Sequence, residues 1–278
     1  EMLKRMGAFK DIEKEEIHKL DTEKPMIVYQ YDKSFDGLLT CIFEAYDRKM
    51  FPDILQAEGV PLPLFHEEVI RIITDERKSS RVWKGLEKRL SPAGLSVITS
   101  CWLSELPDTD RLLFRYIRKA IDALRPIEIN FGDPDVLEAT QIAKKVGNER
   151  LRVVQFTRFQ KTIDGTYFAA LEPIYNVLPL VIGHFQNRFA DQCWLLYDIK
   201  REYGYYYNRQ KVDEVRFETK GTHLLTGKLD QQLMAEDEQL FQQLWRTYFK
   251  TIAIKERINP KLHRQNLPVR FWKYLTEK

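Results

Sequence analysis

The sequence predicts an α+β protein in which a largely helical N-terminal half packs against a mainly antiparallel sheet with C-terminal helices. Two observations predict it. From about residue 65 to 124, apolar residues recur at the three- and four-residue spacing of amphipathic helices. From about residue 151 the pattern changes to short alternating runs joined by close turns, which pair as hairpins more readily than as a doubly wound sheet. A chain of 278 residues with 44% apolar and 31% charged side chains has the balance of an ordinary globular protein, as one large domain or two modest ones.

The elements follow in order. Residues 1–25 mix acids and bases with few large apolar groups, which suggests a tether or an appended extension around a short helix. Met26–Tyr31 has the composition of a first strand. A helix over Phe35–Lys49 follows, with Ser34 as its cap and Leu38, Leu39, Ile42, Phe43 and Tyr46 as its apolar face. Further helical segments are marked by Val69, Ile72 and Ile73, by Val82, Trp83, Leu86 and Leu90, by Ala93–Leu103, and by Asp110–Leu124. Asp133-Pro134 opens another helix, with Pro at the first position where its missing N–H costs no bond, and Gly147 is placed to end it.

A soft boundary at 147–150 then separates a mainly helical subdomain, 26–148, from an α+β subdomain, 149–278. Leu151–Gln160 alternates as a strand, Asp164-Gly165 turns the chain, and Thr166–Leu171 returns antiparallel. A helix over Asn176–Phe189 carries Pro179 in its first turn. Cys193–Ile199 and Tyr203–Tyr207 form a hairpin, and Val212–Glu218 is a last strand. Helices over Asp237–Ile254 and about Pro260–Gln265 close the chain.

Several classes are disfavoured. No run of about 18 uncharged apolar residues is present, so a membrane partner is not expected, and cytoplasm is the default location. Cys41, Cys101 and Cys193 are too scattered for a disulfide framework or a paired ligand knuckle. They suit buried thiols, or a metal or cluster site only if the fold gathers them. Glycine-rich phosphate loops, the nucleophile elbow, the zinc-deaminase signature and HExxH are all missing, so no cofactor or metal is assigned and no catalytic residue is named.

Phe241–Lys278 holds nine Lys or Arg residues against two carboxylates in a chain whose net charge is only +3. Cations beside rings suit a phosphate backbone and unpaired bases, and equally suit an amphipathic helix with a buried aromatic face. Arg246, Lys250, Arg264 and Arg270 are the backbone-contact candidates there, alongside Lys255, Arg257, Lys261 and Lys273. Trp245, Tyr248, Phe249 and Ile252 are expected to pack inward. Arg158 lies on a strand before the Asp164-Gly165 turn and Lys161 in the same connection, in a locally basic region. Arg188 can meet phosphate from a helix end and Trp194 can stack on a base; the competing reading is an internal Arg188–Asp191 pair beside a buried Trp194. Arg201 lies next to the Tyr203–Tyr207 rings, which serve a core or a protein interface, or else a base. His184, Asp191 and Asp198 form an alternative acid–base set, and Glu172 with Asp198 a carboxylate pair, though neither has a compact ligand motif.

Taken together, Tyr31-Asp32-Lys-Ser-Phe-Asp-Gly-Leu38, Arg158-Phe159, Glu172-Pro-Ile-Tyr-Asn176, Phe185–Trp194, Leu196-Tyr-Asp198, Leu244-Trp-Arg-Thr-Tyr-Phe249, Asn259-Pro260 and Leu267–Lys273 carry a resemblance. The chain from Met26 onward resembles a bacterial family of DNA-metabolism proteins containing a conserved domain of unknown function. That resemblance implies a DNA-associated role beside a radical-SAM repair or modification protein, and an association with uracil-DNA-glycosylase-like modules. It carries over no catalytic residue, and the radical-SAM CxxxCxxC pattern is itself absent here. The expectation is a nucleic-acid-binding accessory for DNA repair or modification. An enzyme acting on DNA or nucleotides and a protein-interaction scaffold are the alternatives.

Overall fold

The computed structural model describes residues 26–64, 66–217, 226–252 and 259–275, except for the side chains of residues 249, 250 and 252. The expected tether over residues 1–25, and Lys255 and Arg257, lie outside them. The chain divides into two compact units, residues 1–95 with 107–137 and residues 96–106 with 138–278.

The first unit is built on three parallel strands, β1 (Ile27–Tyr31), β2 (Ile54–Ala57) and β3 (Glu68–Arg71), in the order β2-β1-β3. Between β1 and β2 the chain crosses through α1 (Phe35–Arg48), as parallel neighbours require. Ser34 caps α1 as expected, its Oγ accepting from Gly37 N at 2.9 Å. α1 packs against α2 (Glu76–Glu87) and α4 (Thr109–Asp122). Val28, Tyr31, Leu38, Ile42, Leu86, Leu113 and Ile117 fill the core with almost no exposure.

β2 and β3 correct the sequence reading, which placed one strand in this half and assigned Val69, Ile72 and Ile73 to a helix. Each strand has only four residues and lies at a sheet edge, too short to display a period of two.

α3 (Pro92–Leu103) and α5 (Pro134–Phe156) each continue from the first set of residues into the second. Asp133 and Pro134 start α5 as expected, Asp133 Oδ1 accepting from the Asp135 and Val136 amides at 2.9 and 3.3 Å. The helix does not stop at Gly147, and the strand expected over Leu151–Gln160 is helical as far as Phe156. Ala139, Ile142, Val146, Glu149 and Val153 are buried at three- and four-residue steps, and this helical stripe overrides the local alternation of Arg152 to Arg158.

The second unit carries a five-stranded sheet in the order β4 (Gln160–Lys161), β5 (Tyr167–Leu171), β6 (Trp194–Asp198), β7 (Tyr203–Tyr207), β8 (Val212–Val215). Every neighbouring pair is antiparallel except β5 and β6, which α6 (Leu178–Arg188) joins by a crossover. Gly165, with φ +83°, makes the turn between β4 and β5. On one sheet face Trp194 packs with Phe159, Phe185 and Tyr207, ring centroids 5.4–6.4 Å apart. On the other, Phe168, Ala170, Tyr197 and Leu229 form a second cluster. A 3-10 turn (Gln231–Leu233), α7 (Glu238–Ile252), α8 (Pro260–Asn266) and a 3-10 turn over Val269–Tyr274 complete the described chain. The architecture is α+β.

Candidate partner and nucleic-acid interface

The cations proposed for phosphate contact divide sharply by what they touch. Arg201 is 10% exposed and built into the second unit. It donates to Asp198 Oδ2 at 2.8 Å, to Glu105 Oε2 from Nε at 2.8 Å, and to the carbonyls of Pro173 and Ile174 at 3.2 and 3.1 Å. Asp198 also accepts from the Lys200 and Arg201 amides at 2.9 and 3.1 Å. Burial pushes the Asp198 carboxyl upward, against the pull of Arg201.

Arg270 is held in the same manner. It pairs with Glu149, which is 1% exposed and whose other oxygen accepts from Ile174 N at 3.0 Å. Lys161 reaches Asp237 at 2.9 Å, and Lys273 reaches Glu172 at 2.8 Å. Arg158 donates to the Gln155 and Thr157 carbonyls at 2.9 and 3.3 Å, its guanidinium 6.0 Å from the Trp245 ring centroid. Internal pairing therefore removes Arg201 from the phosphate-contact set and occupies Arg270 and Lys161.

Trp194 is fully buried on the α6 side of the sheet, so it presents no ring to a base. Arg188 and Asp191 are both exposed and do not pair with each other. Arg188 has no carboxylate partner among the described residues, and its guanidinium lies 5.8 Å from the Phe189 ring centroid. Arg264 is likewise exposed on α8 without a carboxylate partner among those residues, and Arg246 is exposed on α7. Lys250 has no described side chain.

The acid–base alternative does not assemble. His184 and Asp191 face solvent, whereas Asp198 is fully buried against Arg201. Asp198 and Glu172 are each committed to a cation, and among the described residues no three His, Cys, Asp or Glu side chains are grouped to hold a metal ion. The cysteines are free thiols, two buried and one half-buried.

Two features were missed in the sequence. The first is the outward face of α7. Leu240, Phe241, Leu244, Trp245 and Tyr248 lie one turn apart along one side of this helix and are 39–59% exposed. Trp245 and Tyr248 were expected to pack inward; instead their rings lean on one another at 5.8 Å in the open. The amphipathic spacing was legible, but not which face the rest of the unit would cover.

The second feature is a polar knot at the carboxyl ends of β1 and β3, where the strand order reverses and open parallel sheets place ligands. Asp32 Oδ2 accepts from Thr74 Oγ1 at 2.8 Å, and its Oδ1 accepts from the Ser34 amide and hydroxyl at 2.9 and 2.7 Å. Burial works to raise the Asp32 pKa, and these hydrogen bonds outweigh it, holding the carboxyl below the usual range. Beside it, Asp110 accepts from Tyr31 OH at 2.8 Å and pairs with Lys33. Burial, then Asp110, pushes the Tyr31 phenol far above its ordinary pKa.

These features define an α+β protein with internal arginine–carboxylate clasps and an uncovered apolar helix. Its sequence matches the profile of DUF4130, a domain of unknown function, over residues 107–277, and the chain belongs to that family. No curated protein and no solved structure matches it. Among the described residues no helix is long and apolar enough to cross a membrane.

Proposed function

We propose that this protein is an accessory factor in DNA repair or modification, which docks a partner enzyme through α7 and contacts nucleic acid through exposed cations of the second unit. The observation that carries this reading is the row from Leu240 to Tyr248. Five large apolar side chains on one face of a 15-residue helix stand in solvent. A helix of that length is marginal in water without a packed face, and contiguous exposed apolar patches mark interaction sites. The partner class, a radical-SAM repair or modification enzyme, comes from the resemblance in the sequence, as does the association with uracil-DNA-glycosylase-like modules.

Arg188 and Arg264, exposed and without a carboxylate partner among the described residues, supply the phosphate-contact part of the reading. Two titrations separate the two roles. Leu244→Asp with Tyr248→Asp is expected to abolish calorimetric binding of the companion enzyme and leave DNA affinity unchanged. Arg188→Glu with Arg264→Glu is expected to do the reverse, lowering DNA affinity and flattening its salt dependence by about one to two units of slope. If the folded protein binds neither DNA nor the companion enzyme, alone or together, the proposal fails.

A further inference from the structure

One face of the second sheet carries a pocket of about 550 Å³, within the size range of small-ligand sites. Its floor is set by strand register. Phe168, Leu195 and Tyr206 stand directly opposite one another across β5, β6 and β7, so their side chains form one row. Leu229, Leu233 and Phe217 wall it in. Phe217 keeps 38% of its surface exposed and Tyr206 is half-buried, so ring surface remains open to an incoming planar group.

The mouth is polar and asymmetric. Asp164 Oδ1 is occupied, accepting from the Thr162 hydroxyl and from Thr166 N at 3.1 Å. Among the described residues its Oδ2 accepts from Thr166 Oγ1 alone, at a long 3.3 Å, which leaves acceptor capacity on a carboxylate already fixed in place. The hydrogen bond from Thr162, then the Thr166 amide, holds this carboxyl below its usual pKa, so it is charged at neutral pH. Lys228, next to Leu229, and Arg209, three residues beyond Tyr206, are exposed and have no carboxylate partner among the described residues.

We propose that this pocket receives one unstacked nucleobase bearing an exocyclic amine from a single strand, an inference that rests on the nucleic-acid reading above. The rings and aliphatic walls supply a sequence-tolerant stacking surface. Asp164 Oδ2 selects among bases: adenine, cytosine and guanine each offer an amino donor, whereas thymine offers one N–H between two carbonyl oxygens that the carboxylate repels. Lys228, beside Leu229 in the chain, and Arg209, just after β7, would supply the cations for flanking phosphates. The ligand is thus a stretch of single strand with one base turned out of its stack.

Fluorescence anisotropy with labelled single-stranded 12-mers of dA, dC and dT, and with a 12-mer that is abasic at every position, tests this on the full chain. The wild type is expected to bind dA and dC roughly tenfold more tightly than dT, and to lose affinity for the abasic strand. Asp164→Ala is expected to erase the preference for amino bases. Leu195→Trp, which fills the pocket, and Phe217→Ala, which removes a part-exposed ring 5.6 Å from that of Tyr197, are each expected to bind every strand as weakly as the abasic one. Circular dichroism confirms that each variant is folded. If all strands bind equally and the variants match the wild type, the pocket assignment is overturned while the nucleic-acid reading stands. If the wild type binds no strand, the nucleic-acid reading is lost and this inference with it.

Discussion

Arg201 donates to Asp198 at 2.8 Å from a guanidinium that also grips the backbone carbonyls of Pro173 and Ile174. One side chain therefore ties the end of β6 to the loop that follows β5. The pair is almost wholly removed from solvent, so losing one member strands the other's charge in a poorly solvating environment. Arg201→Met is expected to cost about 3 kcal/mol or more of folding stability, measured as a lower urea midpoint. Glu105→Gln, at the half-exposed end of the same clasp, is expected to cost under about 1 kcal/mol.

Gly37 has no room for a methyl group. A Cβ there would lie 2.3 Å from Asp32 Oδ1 and 2.9 Å from Thr74 Oγ1. Gly37→Ala is expected to push Asp32 away from Thr74 and to destabilise the protein by about 1–3 kcal/mol, despite the better helix propensity of Ala. Gly85→Ala, which meets nothing within 4 Å, is the matched control and is expected to be neutral or slightly stabilising. Thermal melts of the two variants make the comparison.

The α7 face is expected to be silent in the isolated protein. Leu244→Asp and Tyr248→Asp remove exposed apolar groups and leave no buried group unpaired, so unfolding free energies are expected within about 0.5 kcal/mol of wild type. A large loss in equilibrium denaturation would show that these residues are core after all.

Glu44 gives the fold an acid-sensitive contact. Burial alone raises its pKa, but hydrogen bonds from Lys78 and Arg48, the latter at 2.6 Å, hold it below the ordinary carboxylate range. A carboxylate with a depressed folded pKa stabilises the protein fully above its unfolded pKa, and that contribution disappears as the pH falls through the folded value. The stability difference between wild type and Glu44→Gln is expected to be constant from pH 8 to about 5 and to shrink below about pH 4.3, followed by urea titrations across that range.

Local grammar was legible where local physics decides. Ser34 and Asp133 cap their helices, Pro179 sits in the first turn of α6, and Gly165 turns the chain between β4 and β5. Where tertiary burial decides, the sequence misled. The second half of α5 alternates like a strand, but its buried residues from Ala139 to Val153 face one helical stripe. The candidate interface suffered more, because charge counted along the chain does not see acids brought up by the fold. Arg270 meets Glu149 across 121 positions, Lys273 meets Glu172 across 101, and Arg201 meets Glu105 across 96. A terminal segment rich in bases thus spends two of its cations on internal partners.

Glu149 imposes a timetable on synthesis. A nascent polypeptide emerges from the ribosome N-terminus first, so this deeply enclosed carboxylate is made three residues before Arg152, its more distant cation at 3.5 Å, and 121 residues before Arg270, its closer one. Until Arg270 has emerged, α5 can adopt its helix with Arg152 beside Glu149, but sealing the carboxylate away from water lacks its closer cation. The second unit therefore completes this ion pairing late, and chains interrupted before Arg270 lose the closer of these two cations on Glu149 rather than a dispensable tail.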